Sequence, residues 1–125
     1  MSIRTRTSGI VVNINVAPAG GGCAEATAFL ARISTDAAHQ LAYTNLICGL
    51  VSDGVWSLLD VLQVYATDDP STALLNLKGT SNTGVTLGAP TFTVDRGYSI
   101  AAAGINTNFN PSTGTNYVQD AASIG

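Results

Sequence analysis

The second half of this chain is made largely of residues that interrupt regular structure. Of the 60 residues from Ala66 to Gly125, 28 are Gly, Ser, Thr or Asn, and three of the four prolines (Pro70, Pro90, Pro111) lie there. Between Cys23 and Tyr65 only 9 of 43 residues are of those four types, and none is proline. Glycine and proline end helices and mark turns, so one uniform architecture cannot span both stretches. The predicted class is α+β: an N-terminal strand or arm with a Gly-rich joint (1–22), two to three short helices (23–65), then antiparallel β-structure forming part of a sandwich (66–125).

Within the Pro-free block, Ala24 to Ile33 is Ala-rich and helix-prone. Glu25 near its start and Arg32 near its end suit the helix dipole. Ser34-Thr35-Asp36 offers cap residues for a second helix. There Ala42, Tyr43, Leu46, Ile47, Leu50 and Val51 recur at i, i+1, i+4, i+5, i+8 and i+9, an apolar stripe. Ser52-Asp53-Gly54 breaks it, and Asp53 is placed to cap a third short helix through Trp56, Leu59 and Leu62. Such short helices cannot bury their stripes alone, so they pack together or on a sheet.

In the first zone Val12, Ile14 and Val16 alternate with Asn13 and Asn15, the period of a half-exposed strand; together with Ile10 they form the candidate arm. This reads either as a leading strand or as an arm that adds a strand to a neighbouring subunit's sheet. In the third zone short strand-like runs recur between turn signals: Leu74–Leu77, Thr91–Val94, Tyr98–Ile100, Ile105–Phe109 and Tyr117-Val118. Sixty residues make about five such strands, whereas a seven-stranded sandwich takes roughly 100 residues. The strands are therefore expected to be completed by other chains or by sequence continuing past Gly125.

The chain carries five Lys+Arg and eight Asp+Glu, a charged fraction of 10% against roughly 25% in an average soluble protein. No basic cluster exists to displace phosphate counterions, which argues against nucleic-acid binding. No apolar run approaches the roughly 20 residues that span a bilayer. The start, Met1 to Gly9, lacks the apolar stretch of a secretory signal. Scarce charge suits a surface covered by neighbours, because charged residues are depleted at interface cores.

The inventory of catalytic residue types is thin, and no catalytic, cofactor-binding or metal-binding set is assigned. His39, the lone histidine, reads as a helix-surface or cap residue rather than a general base. Cys23 and Cys48 form no C-x-x-C pair, and with no export signal free, buried thiols are expected; a disulfide would need the two helices to fold back as a hairpin. Gly20-Gly21-Gly22 lacks the Lys-Ser/Thr of a phosphate loop and reads as a hinge. Asp68-Asp69-Pro70 reads as a turn rather than a calcium corner. Asp95-Arg96-Gly97 reads as a turn with a local ion pair. Trp56, Tyr98 and Tyr117 are candidate sugar-stacking or interface aromatics.

Four segments in order carry a resemblance: Asp53 to Thr67 (DGVWSLLDVLQVYAT), Ser71 to Lys78 (STALLNLK), Pro90 to Tyr98 (PTFTVDRGY) and Asn106 to Thr113 (NTNFNPST). This series resembles phage and prophage-encoded virion proteins of tail-fibre or head-fibre type, in which a helical segment leads into a concanavalin-like or laminin-G-like jelly roll. It covers roughly residues 23–125. The resemblance implies a non-enzymatic virion component without cofactor, made in the host cytoplasm, forming a homo-oligomer and bound to a tail, baseplate or capsid protein. A host surface glycan would then be met through a C-terminal continuation. Residues 1–22 would be the attachment arm. A small carbohydrate-binding module, acting alone through Trp56, Tyr98 or Tyr117, is the alternative.

Overall fold

The computed structural model describes residues 22–117; the candidate arm residues Ile10, Val12, Ile14 and Val16 lie outside them. Two helices open the fold, α1 (Ala24–Leu30) and α2 (Ala37–Ser52). α1 is shorter than the Ala24–Ile33 expected: the Arg32 and Ile33 amides turn back to Phe29 O and Leu30 O, tightening the last turn so that Arg32 leaves the helix. Asp36 caps α2 as predicted, its Oδ1 accepting from the amides of Ala38 (2.8 Å) and His39 (3.0 Å).

The helices do fold back as a hairpin, and the expectation of free thiols is corrected: Cys23 and Cys48 form a disulfide with their Cα atoms 5.6 Å apart. Antiparallel packing brings the N-cap of α1 beside the fourth turn of α2, a proximity that spacing alone does not reveal. The crosslink and α1 lie on the Thr44–Cys48 side of α2, which rotates the buried face away from the predicted stripe. Tyr43, Thr44 and Ile47 are buried, while Ala42 and Leu46 are exposed. Thr44 tolerates burial because its hydroxyl donates to Gln40 O at 2.9 Å. Phe29 meets Tyr43 edge to face, ring centroids 5.0 Å apart, and Ala26, Ile47 and Leu77 complete the core.

The third helix does not form. Asp53 closes α2, its amide donating to Gly49 O at 2.9 Å, and it caps nothing downstream. Only one 3₁₀ turn follows, Trp56–Leu58, and Leu59 is already extended. The Leu74–Leu77 run is not a strand either: a 3₁₀ turn covers Thr72–Leu74, and the buried side chain of Asn76 takes the place of a ladder. Its Oδ1 accepts from the amides of Leu62 and Lys78, both at 3.0 Å, and its Nδ2 donates to Ser81 O at 3.1 Å. Gln63 adds two bonds from Nε2, to Leu74 O and Asn82 O.

Four short strands follow: β1 (Val85–Leu87), β2 (Thr91–Thr93), β3 (Gly97–Ser99) and β4 (Gly104–Asn106). β2 pairs with β3 and β1 with β4, both antiparallel, so one pair is nested inside the other along the chain. Between the two ladders residues 88–90 stand opposite residues 100–103, three against four, and Pro90 offers no amide. Those features divide the strands into two separate two-stranded sheets, and the sheets are not closed. Among the predicted runs, Ile105 to Phe109 is strand only to Asn106 and Tyr117 is not in a strand; Val118 lies outside the described residues. β1, embedded in Thr and Gly, falls outside the predicted runs. At the β2–β3 turn Gly97 has φ +88°, and a Cβ there would come within 3.2 Å of Tyr65, so backbone and space both demand glycine.

Candidate functional site

The densest cluster of ionisable groups surrounds His39 in the first turn of α2. The Asp36 cap brings its carboxylate back over the helix start, and the β2–β3 turn, with Asp95 at φ 60°, brings a second carboxylate from 56 residues away. Nδ1–H of His39 donates to Asp36 Oδ2 at 2.8 Å, and Nε2–H donates to Asp95 Oδ1 at 2.7 Å. These bonds, that to Asp95 first, with the nearby charge of Asp68 adding, raise the imidazole to about 9. At neutral pH the ring is a cation with both nitrogens donating, and it has no lone pair with which to accept a further proton. Asp36 is held below its usual range, chiefly by the His39 amide and then by the His39 ring.

The ion pair expected within Asp95-Arg96-Gly97 is thus replaced: Asp95 pairs with His39, because the positive φ at Asp95 turns its carboxylate towards α2. Asp68 and Asp69 form a turn. Asp69 Oδ2 accepts from the Thr72 amide at 2.8 Å, capping the 3₁₀ turn, and Asp68 Oδ2 accepts from the Thr35 hydroxyl at 2.5 Å. Asp68 Oδ1 is buried with no hydrogen-bond partner. Asp36, His39 and Asp68 each bring one ligand atom within 4.8 Å of the others. A metal ion there would have to displace the ring proton, so the group acts first as a charge clamp between α2 and the hairpin tip.

The three aromatics singled out in sequence are not brought together. Trp56 is half-buried under the Lys78 ammonium, 5.3 Å from the ring centroid. Tyr98 packs edge to face on Phe92 at 5.1 Å and donates its hydroxyl to Pro70 O at 2.7 Å. Tyr117 meets Phe109 at 6.2 Å. Each belongs to its own local pair, and no flat shared face results.

Asp60 gives the most concentrated polar anchor, which nothing in its sequence context signals. Its carboxylate accepts from the successive amides of Thr115 (3.0 Å), Asn116 (2.9 Å) and Tyr117 (2.7 Å). Those bonds, Tyr117's first, lower its pKa. Apolar residues meanwhile remain uncovered on β1 and just past the ends of β2 and β3: Val85, Leu87, Val94 and Ile100 are all exposed, Leu87 at 53% and Val94 at 54%. No helix among the described residues is long and apolar enough to cross a membrane.

Comparison with protein-family models, with curated proteins and with solved structures gives no match.

Proposed function

We propose that this chain is a non-enzymatic structural component of a phage or phage-like particle, the particle-proximal part of a fibre or spike. The observation that carries the reading furthest is the uncovered β region. The region of the two open strand pairs exposes Val85 and Leu87 on β1 and Val94 and Ile100 just past β2 and β3, and both pairs have unpaired edges. Open edges and apolar faces are what neighbouring chains cover in an assembly. The sequence resemblance supplies the kind of assembly, with the strand pairs as elements of a jelly roll that neighbouring copies complete. The disulfide agrees with such a setting, since crosslinks persist on virion surfaces. Residues 1–22 attach the chain to a tail, baseplate or capsid protein.

The expected outcome in solution is a homo-oligomer of the full chain by multi-angle light scattering. A monomer at all concentrations would sink the assembly reading. Deleting residues 1–16 should release the protein from particles with its thermal transition intact, and unchanged incorporation would remove the arm from the proposal.

A further inference from the structure

Only three Lys or Arg residues lie between positions 22 and 117, namely Arg32, Lys78 and Arg96. Two of them, Arg32 and Lys78, line one cleft of about 300 Å³ between α1 and the segment after Leu77. Phe29 and Leu77 form its apolar floor, Trp56 a wall, and Glu25 contributes its one carboxylate. Arg32 lies over the Phe29 ring at 5.1 Å and Lys78 over Trp56 at 5.3 Å. Both cations are positioned by the same buried residue. Arg32 Nη2 donates to Asn76 O at 2.9 Å, and the Lys78 amide donates to Asn76 Oδ1 at 3.0 Å. Among the described residues, neither has a carboxylate within 4 Å.

Two unneutralised cations converging on an apolar cleft are costly to desolvate unless an anion joins them. Burial already lowers the Arg32 pKa, the direction expected of a charge with no counter-ion. Arg32 has further N–H donors beyond the one used on Asn76, and Lys78 presents an ammonium. With Glu25 included the cleft carries a net charge of one positive unit, which a single carboxylate neutralises and a dianion exceeds. A mostly apolar cavity with a few fixed polar groups is the usual form of a small-ligand site. We infer that this cleft binds a small organic monoanion, its carboxylate held between Arg32 and Lys78 and its ring against Trp56. This inference is independent of the assembly reading.

Titration of the full, oxidised chain followed by amide and indole NMR tests it, with benzoate and glucuronate as carboxylated rings. Benzamide serves as the neutral ring and inorganic phosphate as the bare oxyanion. Saturable shifts at Trp56 and at Lys78, Gly79 and Thr80 with at least one carboxylated ring are expected, with neither benzamide nor phosphate matching them. Lys78→Gln and Arg32→Gln should each weaken binding about tenfold or more, the worth of one charge-assisted hydrogen bond. Lys78→Gln leaves the backbone bond to Asn76 Oδ1 in place, so the fold should be kept, with only a small shift of the thermal transition from the lost Trp56 contact. No saturation by either carboxylate, equal binding of benzamide or phosphate, or full affinity in Lys78→Gln overturns the assignment.

Discussion

The helical part of the molecule and its β part are held by different forces. Among the described residues every buried apolar one, from Ala26 and Phe29 to Ala73 and Leu77, precedes Lys78, and the helices are also crosslinked by Cys23–Cys48. Beyond Lys78, the only buried positions among the described residues are Gly84 and Gly97, which have no side chain to bury. The β part is instead tied down by point contacts. Asp95 reaches His39, the Asp95 amide reaches Thr67 O, Tyr98 reaches Pro70 O, Asn108 reaches Thr83 O, and Asp60 grips residues 115–117. Apolar burial is cumulative and cooperative, whereas polar tethers act one at a time and compete with water. A two-regime protein follows: a cohesive helical core and a β layer that other surfaces can still reshape.

The sharpest way to break this contrast is at Asn76, where the two parts meet. Asn76→Ala strands the half-buried Leu62 and Lys78 amides at about 1–3 kcal/mol each, while the exposed Ser81 O turns to water, so a loss of about 2–6 kcal/mol is expected in urea unfolding. A loss under about 1 kcal/mol would mean that water replaces the side chain freely. Reduction of Cys23–Cys48 comes next, at roughly 3 kcal/mol for a loop of this length, read as a shift in the urea midpoint with added reductant. An unchanged midpoint would show the apolar core to be sufficient without its crosslink.

Asp60→Asn probes the β side alone. Amide exchange at Thr115–Tyr117 should accelerate while the α2 amides stay protected, because the hydrogen bonds to the carboxylate come from residues 115–117. Since the folded pKa of Asp60 is depressed, its contribution is present above the ordinary carboxylate range and is lost as pH falls through that lower value. His39 gives the smallest and most pH-selective effect. Its folded value of about 9 lies above the unfolded value near 6.5. The clamp is therefore complete below about pH 6.5 and fades as pH rises through about 9. Thermal midpoints of the native chain and His39→Ala should differ at pH 6 and converge above pH 9; a constant gap would assign the effect to packing instead.

Features that depend on neighbours in sequence were legible, and those that depend on closure through space were not. The Asp36 cap, the existence of α2 and the β2–β3 turn all follow from a few adjacent residues. The apolar stripe on α2 includes Leu46, which is exposed, because periodicity gives a face but not the direction from which α1 and the disulfide approach. The Leu74–Leu77 run has strand composition, yet one amide side chain at Asn76 satisfies the backbone that a ladder would have served. Asp95 carried a visible ion-pair candidate next door in Arg96, and the partner it takes, His39, lies in another element. For Cys23 and Cys48 the sequence context speaks only to compartment, whereas the hairpin geometry decides their pairing. At Asp60 nothing local could have announced three amides from the far end of the chain.

The position of the crosslink also determines how the molecule would carry load. Gly22 lies so close to α2 that a Cβ on it would come within 2.5 Å of Thr44 Cγ2 and 2.8 Å of Cys48 Sγ. The next residue is covalently joined to the fourth turn of that helix. A tensile force entering from the N-terminal side would therefore pass through the S–S bond straight into α2, bypassing residues 24–47. α1 and the Phe29–Tyr43 contact lie inside that closed loop, out of the line of pull. The crosslink works as a mechanical shunt, and chemical reduction would put α1 back in series with the strain.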